Sequence, residues 1–246
     1  MKPGGFQIDG DEIVQAQARQ DVPHVGQRPQ CRPQRHRVVA PLKRFSHRLR
    51  GNGGDLRVLG LDPAVDGSRI RARLGVVPQE DTLDTELTVW DNLMLAAQSR
   101  EARVPFHPMA WLSLAAKQQA VRERAEKAMV MAGLGAYQSW VAANLNHGAQ
   151  RQLEIAMVLA TEPEVLLLDE PLAGMGAAEA ETMVALLQQL KQGHAMLLVE
   201  HDMDAVFALA DVLTVMVNGT VIATGTPQDI RADAKVQAAY LGEASA

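Results

Sequence analysis

Two adjacent carboxylates at the end of an apolar run are the residues of this sequence best suited to chemistry. Asp169 and Glu170 follow the segment 165–168, which has the composition of a strand buried on both faces. In an open α/β sheet, ligands bind beyond the carboxyl ends of the parallel strands. Phosphoryl transfer uses such a pair, because one carboxylate can hold Mg²⁺ while the other orients or deprotonates the attacking water. Considered alone, the pair is also compatible with a cap for the following helix.

A histidine follows a second apolar run. His201 comes directly after the segment Met196–Glu200. A single histidine after a strand is usually uninformative, but its place after this run makes His201 a third candidate for the site.

Alternating apolar and helical segments predict the framework that would position these side chains. Beyond residue 164 the pattern is that of βαβ units and a parallel sheet. Thr88 fits a helix N-cap with Asp91 three residues on, and Asn218-Gly219 predicts a two-residue hairpin. The predicted strands are 56–59, 165–169, 195–199, 212–217 and 220–223, with a strand or helix-to-strand transition at 69–77. The predicted helices start at Thr88, span 112–132, run from Gly148 to before Pro163, span 177–191 and 203–210, and start at Pro227.

The bulk composition fits a folded protein in a reducing compartment. The chain has 246 residues, 47% of them hydrophobic, which suits one compact α/β unit or two closely packed subdomains. Its single cysteine, Cys31, excludes an internal disulfide and a cysteine-based metal cluster. The N-terminus lacks a signal peptide's apolar segment, and no run reaches the roughly 18 apolar residues of a membrane span. We therefore expect a cytoplasmic protein that reaches a membrane only through a partner.

The first 50 residues differ from the rest of the chain. They carry 10 Lys and Arg against 4 Asp and Glu, or +6, whereas the remainder carries 14 against 25, or −11. Residues 15–50 are rich in Gln, Arg, Pro and His, so we expect them to be poorly ordered. A basic nucleic-acid arm is a less favoured alternative, and we expect no nucleic-acid partner. A third interpretation is out-of-frame translation of a GC-rich gene, because regular sequence resumes abruptly near Gly53.

From residue 76 onward the sequence resembles the ATP-binding subunits of ABC transporters. Four motifs occur in that family's order and approximate spacing: Val77-Pro78-Gln79 (Q-loop), a signature loop, the strand 166–170 with its two carboxylates, and Glu200-His201-Asp202 (H-loop). The signature loop consists of Leu145, Asn146, His147, Gly148, Ala149 and Gln150. Each motif alone is weak, whereas four in register are strong.

The resemblance implies a role for each of these residues. Asp169 would bind Mg²⁺, and Glu170 would act as general base. His201 would contact the γ-phosphate, and Gln79 would sense Mg²⁺ and the attacking water. The signature loop would present the N-terminus of its helix to the phosphates of ATP, and Gly148 would allow close approach.

The same resemblance implies an architecture and partners. It predicts a P-loop NTPase-like α/β fold with a parallel-sheet core at 51–85 and 161–246, an inserted α-helical subdomain at 86–160 and an atypical segment at 1–50. The cofactors would be ATP and Mg²⁺. The partners would be membrane permease subunits and a second ATP-binding subunit, whose signature loop would cover the ATP held by the carboxylates of this one. Leu172–Met175 takes the place of the D-loop, which in the family crosses to that second subunit. The complex would place the protein on the inner face of the plasma membrane.

A finer resemblance divides the chain. Residues 145–243 look like subunits of branched-chain amino acid importers. Residues 54–95 look more like subunits of drug or nodulation-type exporters. The longer match favours amino acid import, with an exporter subunit as the alternative.

One motif of the family is absent. No Gly-x-x-x-x-Gly-Lys-Ser/Thr loop occurs in the sequence, and Lys43 follows Leu42 rather than glycine. The lysine, the hydroxyl and the backbone N–H cradle for the β- and γ-phosphates therefore have no counterpart. We expect impaired hydrolysis, in either a degenerate subunit that serves as a binding scaffold or a damaged copy of an ordinary ATPase. The presence of both Glu170 and His201 favours the damaged copy.

Overall fold

The computed structural model describes residues 13–17, residues 58–99 apart from 64 and 80, and residues 110–240 apart from 219. The strands are β1 Ile13–Gln17, β2 Leu74–Val77, β3 Val165–Asp169, β4 Ala195–Glu200, β5 Val212–Val217 and β6 Thr220–Gly225. The helices are α1 Gly67–Arg71, α2 Val89–Gln98, α3 Ala110–Met131, α4 His147–Leu159, α5 Ala177–Lys191, α6 Met203–Leu209, α7 Pro227–Ala232 and α8 Ala234–Tyr240. Short 3₁₀ turns lie at Gly135–Tyr137 and Ala142–Asn144.

The sheet has a parallel part and an antiparallel part. The described strands are ordered β2-β3-β4-β1-β5-β6. β2, β3 and β4 are parallel neighbours, which confirms the parallel core predicted from the alternating segments. β5 and β6 form the predicted antiparallel hairpin, and Asn218 between them has a φ of 49°, in the left-handed region that a tight hairpin turn requires.

The strand β1 was not predicted. Ile13–Gln17 pairs antiparallel with both β4 and β5, which themselves run in the same direction. Residues 15–17, which belong to the segment expected to be poorly ordered, are part of this strand. Residues 18–50 lie outside the described residues, so for them that expectation stays a prediction.

The prediction of a strand at 56–59 is wrong for residues 58 and 59, which are the described part of that range. The backbone N–H of Val58 donates to the carbonyl of Leu61 at 3.0 Å, and the reverse bond is 2.9 Å. Leu59 and Gly60 have φ values of 52° and 76°. Two consecutive left-handed residues reverse the chain, so residues 58–61 form a tight turn. Residues 56 and 57 lie outside the described residues.

The remaining helix and strand predictions agree with the structure to within a few residues. Residues 69–77, predicted as a strand or a helix-to-strand transition, form the end of α1 followed by β2. Thr88 caps α2 as expected: its Oγ1 accepts the N–H of Asp91 at 3.1 Å, and the Asp91 carboxylate accepts the N–H of Thr88 at 3.4 Å. Across the described helices, none is both long enough and apolar enough to cross a bilayer.

Helix α4 connects the helical residues to the sheet. It packs against α2, α3, α5 and β2. A Cβ on Gly75 of β2 would lie 2.3 Å from Val158 Cγ1 and 3.0 Å from Pro163, so the absence of a side chain allows α4 to approach the strand. Leu153, Ile155 and Ala156 of α4 are fully buried in the main apolar cluster. The start of α4 is thereby held at a fixed position relative to the parallel strands.

Candidate functional site

Three of the predicted site residues meet beyond the carboxyl ends of β2, β3 and β4. Gln79 follows β2, Glu170 follows β3, and His201 follows β4. Gln79 Nε2 donates to Glu170 Oε2 at 2.9 Å. His201 Nδ1 lies 3.9 Å from the same carboxylate oxygen. We call the ends of these three strands the carboxyl-terminal edge.

The backbone of Glu170 turns sharply at the end of β3. Its φ is 47°, in the left-handed region that costs a non-glycine residue of the order of 1 kcal/mol or more. Two hydrogen bonds hold this conformation: the Glu170 N–H donates to Val199 O at 2.9 Å, and Ala173 N–H donates to Glu170 O at 3.1 Å. The side chain stays partly exposed, at 30%. A strained backbone that presents an accessible carboxylate is typical of functional positions.

The residues at this edge suit a magnesium ion shared with a nucleotide. Mg²⁺ prefers oxygen ligands and is usually held by one or two carboxylates together with substrate phosphates and water. Asp169, at the last position of β3, supplies a partly buried carboxylate, and Gln79 carries an amide oxygen. Among the described residues there is no group of three or more His, Cys, Asp and Glu side chains that could hold a metal without such a shared ligand.

The signature loop Leu145–Gln150 forms the N-terminus of α4. Asn146 is its N-cap, with Oδ1 accepting the N–H of Ala149 at 2.8 Å. Leu145 and Ala149 are buried, and the Gln150 side chain donates to the carbonyl of Ala142 at 3.1 Å. His147 is exposed, and its Nε2 lies 2.9 Å from the carbonyl oxygen of Ala173.

The signature loop lies against the segment that follows Glu170. The N–H of Gly148 donates to Glu179 Oε1 at 3.4 Å, and a Cβ on Gly148 would lie 3.1 Å from the Glu179 Cβ. Glycine at 148 therefore allows the start of α5 to pack against the start of α4. In the described part of the chain, the loop's hydrogen bonds lead to residues 142, 173 and 179 rather than to Gln79 or Glu170. The predicted site residues thus fall into two groups within one subunit.

A buried ion pair on α4 was missed from the sequence. The guanidinium of Arg151 pairs with the carboxylate of Glu154, and both side chains are almost completely buried. Arg151 also donates to the carbonyl oxygens of Gln79 at 3.3 Å and Asp169 at 3.4 Å. Glu154 also accepts hydrogen bonds from the backbone and hydroxyl of Thr82. The sequence did carry a signal for this pair, since two charged residues of opposite sign lie among the apolar positions of a helix.

Glu200 was also missed as a site residue in its own right. It is the last residue of β4 and is only 1% exposed. Its Oε1 accepts the N–H of Leu172 at 2.9 Å, and its Oε2 accepts the N–H of His201 at 3.0 Å and that of Asp202 at 3.4 Å. Burial raises the pKa of the Glu200 carboxyl, and these N–H donors oppose that rise. An acidic residue that ends an apolar strand next to His201 was the available signal.

Two profiles of known protein families match this chain. The family profile described as ABC transporter matches residues 41–173. A second profile, described as branched-chain amino acid ATP-binding cassette transporter, matches residues 220–246. The first match includes the Q-loop, the signature loop and Glu170, and the second lies in the C-terminal part of the chain.

The chain is also similar to individual ABC transporter proteins. The chain is 38% identical over 180 residues to the high-affinity branched-chain amino acid transport ATP-binding protein LivG of Salmonella typhimurium, covering 70% of each chain. It is 37% identical over 204 residues to the corresponding protein BraF of Pseudomonas aeruginosa, covering 78% of this chain and 77% of BraF. Among solved structures, cbiO1 of Clostridium perfringens, part of the ABC transporter complex cbiONQ, superposes with a TM-score of 0.66 at 22% identity, covering 81% of this chain and 76% of the other. That last likeness shows the fold.

Proposed function

Because this chain belongs to the family of ABC transporter ATP-binding proteins, we propose that it binds MgATP at the carboxyl-terminal edge and powers import of branched-chain amino acids through a membrane permease. The protein would be cytoplasmic and would lie on the inner face of the plasma membrane, where the permease subunits hold it. The similarity to LivG and BraF supports the substrate class.

The observation that carries this proposal is the contact of Gln79 and His201 with one oxygen of Glu170. The three side chains come from three parallel strands and converge where an α/β sheet binds its ligands. Glu170 would accept a proton from a water molecule, and Gln79 would orient that carboxylate. His201, which is 52% exposed, would contact a phosphate oxygen of the bound nucleotide. Asp169 and Gln79 would hold Mg²⁺, which neutralises phosphate charge when bound.

A second subunit is part of the proposal, because one chain does not complete the site. The signature loop begins α4, where backbone N–H groups and the helix dipole favour an anion. In this chain it faces residues 173–179 rather than Glu170. We infer that it faces the ATP held by a second ATP-binding subunit, in a dimer of identical or different chains.

A second candidate function is a non-hydrolysing scaffold. The absence of a Gly-x-x-x-x-Gly-Lys-Ser/Thr loop favours it, since Gln79, Asp169, Glu170 and His201 remain without a phosphate cradle. Such a subunit would occupy the permease and lend its signature loop to an intact partner. The exporter-like sequence at 54–95 leaves a subunit of a drug-type exporter as a further alternative.

Steady-state ATP hydrolysis by the purified chain separates the two main candidates. We expect turnover well below about 1 s⁻¹, the low end of typical enzymes, and its abolition by Glu170→Gln. ATP binding without any turnover that depends on Glu170 would favour the scaffold. Turnover at or above that rate would contradict the impairment that the missing loop predicts.

Uptake of labelled leucine tests the transported substrate. Cells that lack the chromosomal copy would receive either the wild-type chain or Glu170→Gln, together with the permease. Leucine uptake restored by the wild type alone supports the importer. Equal uptake with both proteins, or no uptake with either, contradicts it.

A further inference from the structure

We propose that Glu200 is a positioning residue that ties the loop carrying Glu170 to the loop carrying His201. This inference deepens the proposed function and rests on it, since it concerns the spacing of the proposed base and the phosphate-contacting histidine. It adds to the working site one residue whose side chain is buried.

The two oxygens of the Glu200 carboxylate serve different loops. Oε1 accepts the N–H of Leu172, two residues beyond Glu170. Oε2 accepts the N–H groups of His201 and Asp202. Because the carboxylate is buried, these bonds are not in competition with water, and an unsatisfied group there would cost free energy. One carboxylate therefore bridges the two loops just beyond the paired ends of β3 and β4.

The separation of the two loops decides whether Glu170 and His201 act together. His201 Nδ1 lies 3.9 Å from Glu170 Oε2 and 3.8 Å from Glu200 Oε2, between the two carboxylates. Glu170 is held on its other side by Gln79. A displacement of about 1 Å in such an arrangement can cost up to about a hundredfold in rate. The loop containing Leu172 is also the segment expected to meet the second subunit, so Glu200 would transmit a shift of that loop to His201.

Glutamine is the informative substitution, because it keeps the shape of Glu200 and removes one of its two acceptor oxygens. Its amide offers a single oxygen to one loop and directs an NH₂ donor at the N–H groups of the other. The matched control is Glu181→Gln, which makes the same chemical change on the exposed surface of α5.

The experiment compares ATP turnover and amide hydrogen exchange in the wild type, Glu200→Gln and Glu181→Gln. We expect Glu200→Gln to lower kcat about tenfold with KM for MgATP unchanged, because the nucleotide contacts stay in place. Glu181→Gln should match the wild type. A rise in KM for MgATP alongside the fall in kcat would overturn the proposal. An unchanged kcat would also overturn it.

Hydrogen exchange gives a test that does not depend on turnover. In the wild type, the amides of Leu172, His201 and Asp202 should be protected to the same degree and open together, and in Glu200→Gln at least one of the two loops should exchange faster. Independent exchange of Leu172 in the wild type would overturn the tie between the loops, even if the variant did not fold. Absence of any wild-type turnover would contradict the proposed hydrolysis, while the exchange data would still decide the role of Glu200.

Discussion

At the residue scale, Gln79 is the member of the site whose removal can be interpreted most directly. It is exposed, and among the described residues its side chain makes one hydrogen bond, to Glu170, so its loss should change the free energy of unfolding by about 1 kcal/mol or less. We expect Gln79→Ala to reduce ATP turnover about tenfold because Glu170 loses its orienting partner. Gln98→Ala, at the exposed end of α2, is the control. Unchanged turnover in Gln79→Ala, measured beside its thermal unfolding, would remove Gln79 from the site.

Glu200 should also give stability a measurable pH dependence. Burial raises the pKa of its carboxyl above the ordinary value of 4.5, so the folded protein holds the proton more tightly than the unfolded chain. This contribution to stability is complete below pH 4.5 and is lost as pH rises through the folded-state pKa. The titratable groups that face Glu200 are His201 and, beyond it, Glu170. Both are kept in Glu200→Gln, whose residue 200 cannot titrate. Urea unfolding should therefore show the stability of the wild type minus that of the variant falling from pH 4.5 upward, and a difference independent of pH would contradict this assignment.

At the element scale, α4 fixes the carboxyl-terminal edge through its buried ion pair. We expect Arg151→Met to destabilise the protein by about 3–5 kcal/mol, because it leaves the Glu154 carboxylate buried without its cation. Arg69→Met is the control, since the Arg69–Asp66 pair has the same spacing but an exposed guanidinium, and should cost at most about 1 kcal/mol. Chemical denaturation of both variants measures the difference. Equal losses would show that the Arg151 pair contributes no more than a surface pair.

The elements that could be predicted from the sequence are those with local signals. β3 and β4 are apolar runs, α2 starts at a capping box, and the hairpin at Asn218 has its own turn residues. The turn at 58–61 was mistaken for a strand because its residues are apolar, whereas its left-handed φ values leave no trace in hydrophobicity. The roles of Arg151 and Glu200 were missed because some of the backbone groups they bind, those of Gln79, Asp169 and Leu172, lie in distant parts of the chain, and only the folded structure brings them together. The site residues were named from motifs, and the family resemblance already implied that the carboxylates and the signature loop act in different subunits; the structure adds the contacts of the loop with residues 173 and 179.

At the scale of the whole molecule, the direction of β1 bears on the missing phosphate loop. β4 and β5 run in the same direction, and β1 lies between them antiparallel to both. Val14 pairs with Glu200 and Gln17 with Leu197, so β1 directs its amino end to the carboxyl-terminal edge. Gln17, the carboxyl end of β1, therefore lies toward the opposite edge. A parallel strand in the same place would instead deliver its following loop to Asp169, Glu170 and His201.

We therefore predict that the gene encodes, in another reading frame over residues 1–50, a glycine-rich loop ending in Gly-Lys-Ser/Thr. The change from Gln-, Arg-, Pro- and His-rich sequence to regular sequence near Gly53, with the charge changing from +6 to −11, motivates this prediction. Translating the nucleotide sequence in all frames is the first test. A chain with the restored frame should bind ATP through the recovered N–H cradle, and ATP at a hundred times Kd should stabilise it by about 2.7 kcal/mol. If no frame contains such a loop, the chain is a natural degenerate subunit, and the signature loop Leu145–Gln150 is the part of its chemistry that a partner would use.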